Sequence, residues 1–557
     1  MATSSLPPLL ECVPNFSEGR NQAVIDRIAE AIRSVQNVRL LHIDVGAGAN
    51  RTVMTFAGPP QAVVDAAFAA ITTAARYIDM QHHEGAHPRL GATDVCPLIP
   101  LGSLTMDEAV KWATLLAERV GAQLDIPVYL YEQSATRPER QLLANIRRGE
   151  YEGLLQKMTT PEGRPDYGPG TFNAYSGATV IGARDFLLAY NVNLNTTSVR
   201  LARKIAARVR ESGRRVRQTD GTYQHLPGRC AATRAIGWFM EEYGTTQVST
   251  NLTDYQQTNL HQAFLAIDDE ARKLGVRVTG SELIGLVPLE PILAAGRHFL
   301  QAQGRSPAVS EAVLIDVATR SLGLDACTPF HPRERIIEYL LQKTPASSPL
   351  TTLPLQQFTD RVASDRPTPG GGTTAAAIGA LAAALGSMTA NISVAYQDNR
   401  HLRKKLIDQA WQTTRLQQSL LDLADEDSRV YNIIVEGQRL PRKTEAQRKH
   451  REHVLQQAFQ HATEIPLLIM EECADVLERC TRIITMGRST AIPDAGAGAY
   501  ASAGALRAAS MSIVANIPFL QDKTFVKKVL KQQQELLHRA DTLEQAIDEL
   551  FEKHSKQ

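Results

Sequence analysis

A chain of 557 residues is longer than one hydrophobic core organises, so two large units or three to four smaller ones are expected. Hydrophobic residues at 43% and charged residues at 21% are ordinary globular proportions, and 60 basic against 59 acidic residues leave a formal net charge of +1, which gives no bulk electrostatic case for nucleic acid. The six cysteines, Cys12, Cys96, Cys230, Cys327, Cys473 and Cys480, contain no C-x-x-C pair, which argues against a disulfide framework or zinc knuckle and for reduced core thiols. Residues 1–10 lack the basic and apolar regions of a secretory signal, and no run approaches about 18 uninterrupted apolar residues, so a cytoplasmic protein that does not enter the membrane is expected.

In chain order, residues 9–14 read as a strand, 21–34 as a helix with Val24, Ile25, Ile28 and Ile32 inward, and 38–45 as a second strand. A glycine-containing turn at 46–50 leads to a strand at 51–57, a break at Gly58-Pro59-Pro60, a helix to Ile78 and a strand at 93–99. Strand, helix, strand, strand, helix, strand is the split βαβ plan, in which helices cover one face of a sheet. A helix near 108–120 and a strand at 127–131 extend it.

Between that second helix and its strand, residues 78–95 crowd His82, His83 and His87 together with Asp79, Glu84 and Asp94. Such a segment reads either as a polar surface loop or as a site held by rigid elements. His87 stands apart, because Pro88 restrains its backbone to the extended region and so fixes where the ring points.

After a loop-rich stretch at 159–178 the same plan recurs: a strand at 186–194, a helix at 198–209, a basic loop at 210–227, paired strands at 235–240 and 246–251, a helix at 255–274 and a strand at 276–279. Two copies suggest two sheets facing a shared cleft, a favoured place for a ligand. At their junction lies Gly168, Pro169, Gly170, Thr171, Phe172, Asn173, Ala174, Tyr175, Ser176 and Gly177. Its glycines let a flat ligand approach the backbone and its two aromatic rings offer stacking; a flexible connector has the same composition.

Past Leu341 the alternation stops. Residues 342–352 read as a linker, and 353–557 as an all-helical domain. Gly370, Gly371 and Gly372 precede an Ala-rich helix, an arrangement that leaves backbone N–H groups free for an anion, or that simply forms a tight turn with Thr373 as N-cap. Leu416, Leu420, Leu423, Asp427, Val430 and Ile434 follow steps of three and four, which puts the carboxylate of Asp427 in an apolar helix seam. Partly buried there, it is either a group tuned for proton transfer or half of an ion pair with an arginine such as Arg488 or Arg507. Asp494 is a second candidate carboxylate.

The runs Glu11-Cys12-Val13-Pro14-Asn15-Phe16-Ser17-Glu18-Gly19, His87-Pro88-Arg89 with Asp94-Val95-Cys96-Pro97, Gln247-Val248-Ser249-Thr250-Asn251-Leu252 and Gly285-Leu286-Val287-Pro288 resemble the transferase domain of the formimidoyltransferase-cyclodeaminase family. Pro369-Gly370-Gly371-Gly372, the small-residue helix after it and the helix carrying Asp427 resemble that family's cyclodeaminase domain, whose relatives include methenyltetrahydrofolate cyclohydrolases. The resemblance implies two ferredoxin-like βαββαβ subdomains, at 1–185 and 186–341, then the all-α domain. It implies tetrahydrofolate, in its polyglutamylated form, and glutamate or formimidoylglutamate as small-molecule substrates, with no metal, and a homo-oligomer of two or more copies. It matches the family's catalytic histidine to His87, its folate-contacting loop to residues 168–177 and its cyclodeaminase aspartate to Asp427. Asp44, ending the second strand, would orient the His87 ring. A fused cyclohydrolase or a non-catalytic assembly domain are the alternatives for the helical part. Residues 210–229 and 488–496 depart from the family pattern, although Asp494 is kept.

Overall fold

The computed structural model describes residues 7–85, 88–341 and 349–555, and these divide into two compact units, 1–295 with 319–342, and 296–318 with 343–557. An α/β region is thus followed by a helical one, and residues 296–318, inside the second expected subdomain, group with the helical residues.

In the first unit, β1 (Leu9–Cys12) and β2 (Asn15–Phe16) act as one strand interrupted at Val13-Pro14, since proline has no N–H for the ladder. They lie between β4 (Arg51–Gly58) and β5 (Thr93–Leu101), with β3 (Arg39–Gly46) outside β4. Beyond β5 the sheet adds β7 (Thr179–Ala183) and then β6 (Val128–Leu130), both through parallel pairs. Strand alternation sorts β1 and β2 into two faces. Leu10, Cys12 and Phe16 are buried with Met54, Phe56, Cys96 and Leu98 under α1 (Gln22–Arg33), α2 (Pro60–Tyr77) and α3 (Met106–Leu124). Glu11, Val13 and Asn15 face the other way, into a cavity.

The second sheet has the order β11-β12-β8-β13, from β8 (Leu188–Leu194), β11 (Thr233–Met240), β12 (Thr245–Leu252) and β13 (Val278–Ile284). Helices α5 (Val199–Val209) and α6 (Leu260–Arg272) contribute buried Ala202, Ile205, Val209, Ala263 and Ile267. Within the sheet, Gln247 donates to Asn193 Oδ1 at 2.7 Å and to Glu282 Oε1 at 2.8 Å, so this buried amide is satisfied inside the sheet.

Some elements differ from expectation. The final strand lies at Val278–Ile284 rather than 276–279, and helix α4 (Glu150–Met158) and strand β7 fall outside the elements read from sequence. Every residue of β7 is buried, so it shows no alternation. The basic loop at 210–227 contains a hairpin of β9 (Arg214–Arg217) and β10 (Tyr223–Leu226), whose polar strands bury no residue fully and so present no apolar face to read.

The second unit is built on α7 (Gly371–Ala395), α8 (Arg400–Arg439), α9 (Glu445–Met486) and α10 (Ile492–Asn516), with α11 (Lys523–Ser555) packed on α9 and α10. Helix α7 is long and apolar enough to cross a membrane by length and composition, yet here it packs on α8, α9 and α10. Its glycines explain the closeness: a Cβ at Gly372, Gly379 or Gly386 would meet Asp427, Leu420 and Thr413 of α8 at 2.4, 3.3 and 3.3 Å. Both sets recur every seventh residue, and in opposite sense, so the two helices share one antiparallel heptad seam. Of the expected linker, residues 342–348 lie outside the described residues; Leu350–Thr352 forms one 3-10 turn whose Leu350 N–H and Thr351 hydroxyl donate to Asp425 at 2.7 and 2.6 Å.

Candidate functional site

The open face of the first sheet forms one wall of a cavity of about 520 Å³ within the α/β unit. One register row, Asp44-Val53-Asn15-Val95, crosses that wall, and a second row, Arg234-Asn251-Ala189-Ile284, crosses the facing end of the second sheet. Arg51, Arg147, Arg184 and Arg234 supply positive charge, Asp44 and Glu132 supply carboxylates and Glu11 adds a buried carboxyl, so the cavity suits a zwitterionic or polyfunctional ligand. Burial draws the His42 imidazolium below its usual range, Asp44 opposes this and Arg335 adds to it. Burial lowers Arg51 to about 10, with Asp94 opposing, and raises the Glu132 carboxyl, with Arg234 opposing. Glu11 is the extreme, pushed up to about 8 by burial at 2% exposure.

His87, the principal histidine expected from sequence, lies outside the described residues. Asp44, its expected partner, is exposed on β3 and lines the cavity. The neighbouring histidines have structural duties. His83 Nε2 donates to the Asn50 carbonyl at 3.0 Å, and its Nδ1 accepts from Arg89 Nε at 3.2 Å, which fixes one neutral tautomer. His82 is exposed and pairs with Asp79 at 3.0 Å. Arg89 also binds Glu152 at 2.6 Å and Glu150 at 3.3 Å, and Arg147 clamps Asp94.

The loop from Gly168 to Gly177 is fastened to this same region and does not line the cavity. The Tyr175 carbonyl accepts from Met80 N–H at 2.9 Å, Ala92 N–H donates to Ser176 O at 2.8 Å, and Tyr151 packs on Phe172 with centroids 5.5 Å apart. Gly168 and Gly177 adopt φ of +82° and +68° and lie too close to Ile126 and Leu90 carbonyls to carry a Cβ.

In the helical unit two features singled out separately from sequence come together. Asp427 stands against the first turn of α7: Thr373 Oγ1 donates to Asp427 Oδ2 at 2.8 Å, and the Thr373 hydroxyl in turn accepts from Ser428 at 3.0 Å. Burial raises the Asp427 carboxyl, and hydrogen bonds from the Thr373 side chain and backbone partly offset it. The glycine-initiated helix therefore presents its N–H end to a carboxylate of the chain itself. An ion pair to Arg488 or Arg507 is not formed: Arg507 binds Asp541 at 2.8 Å and also Glu544, and Arg488 stacks 3.7 Å over the Tyr396 ring. Asp494 sits in the first turn of α10, and among the described residues no hydrogen bond or ion pair joins it to Asp427. Glu11, His42 and the cavity arginines were missed as site residues; the period-2 pattern of β1, with Leu10 and Cys12 inward, was the signal that Glu11 and Asn15 face away from the core.

Fold and sites define a two-part protein, an α/β unit with a charged cavity followed by a helical bundle with a helix-capped carboxyl in its seam. Residues 9–184 match the family model described as formiminotransferase domain, N-terminal subdomain, residues 189–342 that of the formiminotransferase domain, and residues 354–535 that of formiminotransferase-cyclodeaminase. The chain is 38% identical to formimidoyltransferase-cyclodeaminase of Rattus norvegicus over 96% of its own length and 97% of that protein's. It is 42% identical to glutamate formimidoyltransferase of Streptococcus pyogenes over 53% of its length and 94% of that protein's, and 29% identical to methenyltetrahydrofolate cyclohydrolase of Methylorubrum extorquens over 35% and 94%. The chain belongs to the formimidoyltransferase-cyclodeaminase family.

Proposed function

We propose that the chain is a bifunctional folate enzyme: it transfers the formimidoyl group between N-formimidoyl-L-glutamate and tetrahydrofolate, then cyclises 5-formimidoyltetrahydrofolate to 5,10-methenyltetrahydrofolate with release of ammonia. The observation that carries this is the match of family models along both units, in family order. Its place is histidine degradation and one-carbon metabolism.

In the α/β unit one amine replaces another on the formimidoyl carbon, so the attacking nitrogen loses a proton and the departing nitrogen gains one. A histidine, with an ordinary pKa near 6.5, is matched to that exchange at neutral pH, and family resemblance assigns it to His87 with Asp44 orienting. Residues 168–177 are assigned to folate by the same resemblance. In the helical unit the formimidoyl group enters protonated, as an amidinium; N10 attacks the same carbon, its proton moves to the departing nitrogen, and ammonia leaves a cationic methenyl product, so one carboxyl group that accepts and returns a proton balances the step. Asp427, partly buried, raised by burial and held by Thr373, suits that role, with Gly372 packed against it and Gly370 and Gly371 just before it at the start of α7.

The second sheet, and the part of the first sheet made by β1 to β5, each come from a strand-helix-strand-strand-helix-strand run, which supports reading both subdomains as ferredoxin-like. A polyglutamylated folate tail would be met by arginines and helix N-termini. The six cysteines carried as thiols suit a reducing, cytoplasmic setting. Self-association is supported by Ile378, Leu381, Met388 and Ile392, which form an exposed apolar stripe along α7.

The likeness to a cyclohydrolase favours one other reading, in which the helical unit hydrates a methenyl bridge. A coupled assay decides: starting from formimidoylglutamate and tetrahydrofolate, ammonia and methenyl product should appear together in equal amounts. Transfer without ammonia would leave the cyclohydrolase reading standing.

A further inference from the structure

The run at residues 11–19 is mostly accounted for by the fold. Ser17 Oγ donates to the Gly91 carbonyl at 2.8 Å, the Glu18 carboxylate accepts from the Arg20 and Asn21 N–H groups at 2.8 Å, and Gly19 allows the backbone of Arg51 to pass close by. Glu11 is not accounted for. It is 2% exposed, it faces the cavity opposite Ile99, and its Oε2 has no hydrogen-bond partner among the described residues. No ion pair joins it to Arg184, whose guanidinium donates to the Asp185 carbonyl at 2.8 Å. A buried carboxyl left in this state is costly to the fold, so its retention calls for a partner that arrives with the ligand.

We infer that Glu11 is the acceptor for a planar amidine edge, an N–C–N unit that presents two N–H donors side by side to its two oxygens. The inference rests on the transferase reading and deepens it, because both substrates of that reaction carry such an edge: the 2-amino and N3–H of the folate pterin, and the formimidoyl group itself. Three features select this chemistry. Asn15, farther along the same face, also has an unpartnered buried oxygen, Oδ1, so both orphans on this strand are acceptors and the absent partner is a donor. A carboxylate takes two parallel N–H bonds from a flat donor pair with more specificity than from a single ammonium. The apolar cavity residues Val13, Ile99 and Leu286 suit a planar ring or amidine better than a hydrated chain.

The charge state follows. In the free protein burial holds Glu11 largely protonated near neutrality, with Arg184 opposing and Glu338 adding to the effect. Docking an amidine edge ionises it, so binding releases a proton: about 0.9 per site at pH 7 and about 0.1 at pH 9, for a group that titrates at about 8 and ends ionised.

The full chain and its Glu11→Gln variant are titrated calorimetrically with tetrahydrofolate, and separately with N-formimidoyl-L-glutamate, in two buffers of different ionisation heat. Glutamine keeps the shape and the neutrality of the protonated acid but offers one acceptor and two donors. The variant should melt no lower than the parent at pH 9, lose at least tenfold in affinity for one ligand and release no proton on binding it. Loss toward tetrahydrofolate assigns the pterin edge; loss confined to formimidoylglutamate assigns the formimidoyl group. Affinities within about twofold for both ligands, with proton release intact, overturn the proposal. Should the variant not fold, the parent alone decides: release that falls between pH 7 and pH 9 supports the proposal, and no release at pH 7 overturns it. A parent that binds neither ligand overturns the transferase reading, and this inference with it.

Discussion

Burial makes the Asp427 carboxyl costly for stability, and the same burial suits it to the proton transfer proposed for it. Its folded-state pKa is raised above the ordinary carboxylate value because burial disfavours the anion. The folded state therefore binds more protons than the unfolded chain between those two pKa values, and stability falls as pH rises through that window. Asp427→Asn removes the ionising group, so the variant should melt at least as high as the parent at pH 7. It should retain formimidoyl transfer and lose ammonia release by about a hundredfold or more, the scale of a lost acid–base group. Melting well below the parent with ammonia release intact would make the residue a strut. Gly372→Ala asks about placement instead: its Cβ would lie 2.4 Å from Asp427 Oδ1, the tip of a side chain that can swing aside. Fold and melting should survive while ammonia release drops at least tenfold; unchanged release would show that the position of this carboxyl is not critical.

At the scale of elements, what was legible in the sequence was what has a period. The helices of the first sheet and the seam of α8 show through their apolar spacing, and burial of Leu416, Leu420, Val430 and Ile434 follows it. Strand β7 escaped because a strand buried along its whole length does not alternate, and the β9–β10 hairpin because a solvated hairpin has nothing to bury. The candidate sites divide along the same line. Asp427 was visible as a charge breaking an apolar pattern, whereas its contact with Gly372 and Thr373 depends on two helices meeting across distant parts of the chain. The cavity residues come from at least eight separate strands and loops, and beyond the alternation that turns Glu11 and Asn15 away from the core no local spacing gathers them. The 168–177 loop was legible as a special backbone, and its glycines do need positive φ, but sequence could not say that it is sewn onto the 80–92 segment.

On the scale of the whole molecule, separate units imply separable activities. His87→Ala should abolish transfer, by about a hundred- to ten-thousand-fold, while leaving cyclisation of supplied 5-formimidoyltetrahydrofolate at the parent rate; transfer within about tenfold of the parent would take His87 out of the mechanism. Association is the last question this scale raises. Ile378, Leu381, Met388 and Ile392 recur at intervals of three, seven and four along one side of α7, and Leu381 is 63% exposed. If the protein self-associates as proposed, this stripe, on the helix whose first turn holds Asp427, is the surface that would join a second copy. A charge at the centre of such an interface is left desolvated and unpaired, so Leu381→Glu should dissociate the protein in sedimentation velocity runs. If the partner completes the pocket, ammonia release should fall with association, recover at high protein concentration, and leave transfer untouched. A Leu381→Glu protein that sediments like the parent would free the stripe from any role in assembly, and one that dissociates with full ammonia release would show that each bundle works alone.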